Sequence, residues 1–166
     1  MKSKVKMYYT GAEIAKITPD EDGWRVAPNG AIIPHTAWIA PDALIGKNAQ
    51  IGEEAAIGSD TVIGQEARLD NYVRVAANTS IGRGAWLRPY VDVFSGTVVG
   101  AGALVCRNTC IAASVKIGPK VTIGQGSLIE SKAVVGAKAT LGSHVRVAVG
   151  VKVAEGAVID GGSIVK

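Results

Sequence analysis

The sequence predicts an all-β solenoid, and three observations carry that prediction. Every sixth residue from Ile33 to Val165 is Ile, Leu or Val, at 23 positions with no exception and no inserted residue. Two residues before each stands a small or β-branched side chain, from Ala31, Ala37 and Ala43 through Thr61 to Ala157 and Ser163. Three residues after them the chain favours Gly, Asn and Asp, as at Asp42, Asn48, Asp60, Asn78, Gly84, Asn108, Gly126 and Gly162. A repeat of fixed period outranks any local reading of secondary structure.

The physics of each slot follows. Side chains alternate along an extended strand, so the aliphatic residue and the small one two before it point inward together. Gly, Asn and Asp tolerate positive φ, so the third slot predicts a left-handed turn. The resulting unit is a short strand and a corner, and three hexads close one triangular coil of 18 residues. Residues 18 apart then stand one rung apart in a column.

Residues 1–32 lie outside the repeat and predict an N-terminal cap, with 33–166 as the repeat domain. In KITPDEDGWRV, Pro19 and Gly23 punctuate two apolar–polar alternations, which predicts a β-hairpin. Trp24 and Val26 are expected to cover the open first coil, because an uncovered strand layer invites aggregation. At the other end VIDGGSIVK stops in mid-coil with no helix behind it. That end is expected to tolerate solvent or to meet another chain.

Composition narrows the partners. A net charge of +4 suits small anionic ligands and is too diffuse to argue for nucleic acid. The VKMYY run is too short for a signal peptide or a membrane span. Cys106 and Cys110 read as free thiols in a reducing cytoplasm. With no neighbouring His pair they do not form a zinc site, and no metal is expected.

Departures from the repeat cluster. Asp70, Arg88 and Phe94 occupy slots usually held by Gly or Ala, and five of the seven arginines fall between positions 68 and 107. Column arithmetic puts Asp70 under Arg88, Arg74 under Asp92, Tyr72 under Tyr90 and Arg68 under Trp86. All lie on or beside one corner, which Arg107 and Asn108 extend by a rung. The corner reads either as a ligand site or as surface ladders and subunit packing.

Segments such as IGKNAQIGEEAAIGSDTVIG and VKIGPKVTIGQG resemble the hexapeptide-repeat acyltransferase superfamily. The resemblance implies a single-stranded left-handed parallel β-helix of about seven coils, where the usual crossover rule would favour the right hand. It implies a homotrimer with sites in grooves between protomers, and acetyl-CoA or another acyl-CoA as cosubstrate with no permanently bound cofactor. Acyltransferases of this superfamily often use a His base. Here the candidates are His144 and His35, with Asp92 as a further one. Arg88 and Arg107 would bind cofactor phosphates; Tyr72, Trp86, Arg88, Tyr90 and Asn108 would line the acceptor site. His144 stands three rungs from Tyr90, roughly 14 Å, so it does not reach a substrate held centrally there within one protomer. The γ-class carbonic anhydrases share the implied fold but need three metal-binding histidines, and this chain has two.

The strip Leu44, Val62, Val98 and Val134, with glycines beside it, is the expected subunit-packing face. Two functions stay open. One is acyl-CoA-dependent transfer to a small amine or hydroxyl acceptor. The other is a non-catalytic β-helix serving as a structural module or small-ligand binder, which the absence of any extruded loop favours.

Overall fold

The computed structural model describes residues 6–166. The repeat folds as anticipated. From residue 32 onward the chain winds through short strands, nearly all of two residues, into three parallel sheets that form the sides of a prism. Face 1 runs from Ile32–Pro34 to Val158–Ile159, face 2 from Trp38–Ile39 to Ile164–Val165, and face 3 from Leu44–Gly46 to Lys152–Val153. Each strand pairs with the one 18 residues later, as in Arg74↔Asp92, Trp86↔Leu104 and Ser80↔Val98. The fold is a left-handed parallel β-helix of about seven turns.

Inward residues fill the prism completely. Ile45, Ile57, Ile63, Leu87, Ile111, Ile123 and Ile129 are all fully buried, with Ala31, Ala43, Ala49 and Ala85 as the small partners that let three walls converge. Where the small slot holds a hydroxyl, it is used. Thr61, Thr79 and Thr97 donate to the carbonyls of Ala76, Phe94 and Ala112 on the next rung, at 3.0, 3.4 and 2.9 Å. Thr109 and Ser127 do the same to Gly124 and Gly142. No buried side-chain polar atom among the described residues is left unpaired, which such a dry core requires.

The turn slot behaves as read, with one exception. Every sixth residue from Asn48 to Gly162 has positive φ, including Glu54, Tyr72, Tyr90, Lys132 and His144. Asp42 does not. Its corner lies at the cap, where Pro41 and Ala43 carbonyls accept from Ala12 and Gly11 N–H, so it follows the cap rather than a rung below.

The cap holds a β-hairpin, but its first strand is Trp24–Val26 and its second is Ile32–Pro34, not the pairing across Pro19–Gly23 that the alternation suggested. Strand β1 (Tyr8–Thr10) pairs antiparallel with Leu44–Gly46, a four-residue helix α1 (Gly11–Ile14) follows, and β2 (Trp24–Val26) pairs antiparallel with Ile32–Pro34. Lys16–Thr18 is not a strand. The Asp20 carboxylate instead accepts from the N–H groups of Asp22 and Trp24 and closes a local turn, the competing use of an Asp side chain. Nor is Val26 the cover, since it is 56% exposed; Ile14 is 3% exposed and plugs the first coil. The expected apolar strip on face 3 is also interrupted: exposed Lys116 and Lys152 alternate with Val98 and Val134, and Ser80 sits lower in the column.

Candidate functional site

The corner between faces 1 and 2 gathers the irregular residues because their columns are adjacent. On face 1, Arg68 and Trp86 are register partners, and the guanidiniums of Arg68 and Arg88 lie 4.7 and 4.6 Å from the Trp86 ring. Asp70, its side chain only 17% exposed, accepts from Arg68 Nε at 2.9 Å and Trp86 Nε1 at 3.1 Å, and Arg88 Nε lies 3.7 Å away. Trp86 is thus held by two cations and a carboxylate of its own chain, which occupies the surfaces that a ligand ring would stack on.

At the corner itself the Tyr72 and Tyr90 rings stack in parallel, 5.0 Å apart and 1° from coplanar. Both are about half exposed. On face 2, Arg74 binds Asp92 through two hydrogen bonds of 2.6 and 2.8 Å, the forked geometry that suits guanidinium and carboxylate. That bond raises the Arg74 pKa further. One rung above Asp92 stands Cys110, whose thiol is pushed up by burial and then by the Asp92 charge. A raised thiol pKa leaves little thiolate, so Cys110 is a poor nucleophile. Cys106 and Cys110 are both free.

Two open depressions flank the Arg74–Asp92 pair. The first, about 290 Å³, lies against the corner and is lined by Glu54, Tyr72, Arg74, Tyr90 and Asp92. The second, about 380 Å³, lies further along face 2 on a floor of Ala56, Gly58 and Ala76, with Trp38 and Phe94 as walls. Those walls are 60% and 50% exposed. The floor is low because successive rungs carry Ala and Gly where neighbouring rungs carry Arg, Asp and Phe. A planar or partly apolar group fits here, with Arg74 and Asp92 as polar edge.

Sequence reasoning placed Tyr72, Tyr90, Arg74, Asp92, Arg88 and Trp86 together, and the structure brings all six to this corner. Arg107, one rung beyond, is engaged with Gln125 at 3.2 Å, and Asn108 continues the tyrosine column with positive φ. The histidines stay apart from it. His144 is exposed in the same column three rungs above Tyr90, its ring folded across Gly126, where a Cβ would lie 2.6 Å from it. His35 is exposed beside the cap, its Nδ1 3.2 Å from the Gly23 carbonyl. Glu54 and Trp38 were missed. Glu54 had a signal, since it directly precedes Tyr72 in the turn column; its carboxylate has no ion-pair or hydrogen-bond partner among the described residues. Trp38 had one too, being the first residue of the Arg74–Asp92 column.

No protein-family model matches the chain, and no curated protein does. Solved structures do match. The UDP-N-acetylglucosamine O-acyltransferase of Moraxella catarrhalis superposes with a TM-score of 0.68 at 20% identity, over 81% of this chain and 65% of that one. A mutant GDP-perosamine N-acetyl transferase of Caulobacter crescentus, in complex with CoA and GDP-perosamine, gives 0.57 at 19% identity, over 79% and 53%. A hexapeptide transferase family protein of Anaplasma phagocytophilum gives 0.54 at 22% identity, over 81% and 74%. The chain therefore spans 65% or less of the length of the first two. What joins it to all three is the architecture: in fold, this chain is a hexapeptide-repeat, left-handed parallel β-helix.

Proposed function

We propose that the chain is an acyl-CoA-dependent acyltransferase acting on a small amine or hydroxyl acceptor, working in the cytoplasm as a homotrimer. The observation that carries the reading is the pair of depressions on either side of Arg74–Asp92, where exposed aromatics and polar edges meet on an otherwise repetitive prism. Solved structures of the same fold supply further support, since two of the three compared above are named as acyl- or acetyltransferases.

In this reading the acceptor lies against Tyr72 and Tyr90, with the remaining N–H donors of Arg74 orienting it. The acceptor nitrogen or oxygen attacks the thioester carbonyl, the C–S bond breaks, and CoA leaves as the thiol. Glu54 takes the acceptor proton, because Asp92 is engaged by Arg74. Arg107 stands one rung above such a site on the same corner, whereas His144, three rungs from Tyr90, does not reach it within one protomer.

The test is ligand-linked melting followed by turnover. An acyl-CoA held at a hundred times its dissociation constant should add about 2.7 kcal/mol to stability. Acetyl-CoA and longer acyl-CoAs are therefore to be compared, with CoA release measured against amine and hydroxyl acceptors. Glu54→Gln should then lower kcat/KM by about 100-fold without changing the melting temperature, as removal of a general base does.

A second reading is a non-catalytic ligand-binding or structural β-helix. It is favoured by the self-contained Arg68–Asp70–Trp86–Arg88 cluster, in which the carboxylate and the indole N–H are paired within the chain. No melting shift with any acyl-CoA, and no thiol release, would leave this second reading standing.

A further inference from the structure

Away from the corner, the charges of this chain are unevenly distributed. From residue 93 onward eight Lys and Arg face three Asp and Glu, although the net charge of the whole chain is +4. Five of those eight are lysines on three successive rungs of face 3. Lys116 and Lys152 are outward strand residues in register with Val134 between them. Lys132 and Lys138 occupy the positive-φ slots on either side of Val134 in its own rung, and Lys120 lies one rung below Lys138. All five are exposed, and Val134 is half-buried. The lysines therefore form a cross around an apolar centre, about 10 Å from the lowest rung to the highest.

The centre of the cross has low relief for a structural reason. Beside Val134 the column reads Gly100, Gly118, Gly136, and a Cβ at Gly118 or Gly136 would lie 2.6 or 2.5 Å from the backbone nitrogen of the next rung. On these rungs no side chain rises to shield the lysines from one another.

The charges are also left unmatched. On faces 1 and 2 the sequence sets opposite charges against each other, as in Arg74–Asp92, Arg68–Asp70 and Arg146–Glu130. On this patch only Lys138 has a carboxylate nearby, Glu155 at 3.8 Å, with both side chains 67% exposed. Among the described residues the other four have no carboxylate within salt-bridge distance. Like charges on neighbouring rungs work against folding, so the arrangement does not serve stability. The cationic surface does not continue as a track down the prism, where Lys47 and the paired Arg83 stand singly among Asp42, Asp60 and Glu66. A nucleic-acid backbone would call for a longer basic track.

We propose that the lysine cross on face 3 binds a compact multivalent phosphate group, drawn in by the flexible stems of Lys116, Lys132, Lys138 and Lys152 over Val134. The chemistry is that of clustered phosphates, whether they belong to a free polyphosphate or to a nucleotide such as CoA. The inference does not rest on the acyl-transfer reading, because the patch lies on a different face from the tyrosine corner.

Calorimetric titration of the full chain with tripolyphosphate at low ionic strength tests it. The expected result is one saturable site, weakened by added salt, weakened at least tenfold in Lys132→Gln/Lys138→Gln, and lost when Lys116 and Lys152 are also changed to Gln. Lys47→Gln, low on the same face, should bind as the wild type does. The lysine variants should melt no lower than the parent, since each removes repulsion. Displacement of tripolyphosphate by CoA identifies nucleotide phosphates as the source; no displacement identifies a separate anion. Undetectable binding, equal affinity in the fourfold variant, or association only with duplex DNA or anionic vesicles would overturn the proposal.

Discussion

Tyr72, Tyr90 and His144 all sit at φ near 60°, a conformation that costs an L-residue roughly 1–2 kcal/mol. The fold tolerates it at corner after corner because each rung's hydrogen bonds hold the turn in place. Glycine at a corner is therefore a convenience, whereas certain glycines beside the strand are closed in by the rung above, although other rungs carry Asp70, Arg88 and Phe94 in that slot. Gly84 has φ +64, and a methyl group added there would meet nothing within 4 Å, so Gly84→Ala should cost only about 1 kcal/mol. Gly100 has ordinary φ, but its Cβ would lie 2.5 Å from the Pro119 nitrogen, and backbone cannot swing aside. Gly100→Ala should cost about 3 kcal/mol, at the upper end for overpacking. Chemical denaturation of the two variants checks the order; equal costs would show that the rungs breathe enough to absorb a methyl group.

At the level of the element, the cap was the least legible part of the chain. Its helix is announced by Thr10 and Glu13, a three-residue spacing in which the Thr hydroxyl accepts from Glu13 N–H and the Glu carboxylate accepts from Thr10 N–H. The alternation around Pro19 and Gly23 was the more visible pattern, and it described a turn rather than a hairpin. Ile14→Ala should destabilise by about 2–5 kcal/mol, because it empties the plug over the first coil. Glu13 also makes the cap acid-sensitive. Hydrogen bonds from Lys6 and then from Thr10 lower its pKa from 4.5 to about 2. A depressed folded-state pKa gives stability that is present above 4.5 and lost as pH falls toward 2. The melting difference between wild type and Glu13→Gln should accordingly be constant near neutrality and vanish across that interval; a difference that persists at the acid end would assign it to packing instead.

For the whole molecule, a stack in which each coil touches only its neighbours propagates order along one axis. It builds no concave pocket of its own, so the depressions on face 2 stay open to a second surface. The proposed trimer would supply that surface, and sedimentation equilibrium should give three times 17.0 kDa. A monomer at micromolar concentration would leave the site to a single chain and overturn the trimer. The sequence by itself determined the solenoid, the three faces and the column partners, because a period of six allows one register and 18 residues close one turn. It also placed Tyr72 over Tyr90 and Arg74 over Asp92, which need nothing beyond that arithmetic. Only the tertiary structure decided how the cap closes the first coil. It alone showed that Trp86 is enclosed by Arg68 and Arg88 and that Glu54 is left free beside the tyrosines, whereas Lys116 and Lys152 in the apolar strip were already legible from the 18-residue count. The first two depend on which way long side chains turn once their column is built, and a repeat fixes positions without fixing directions.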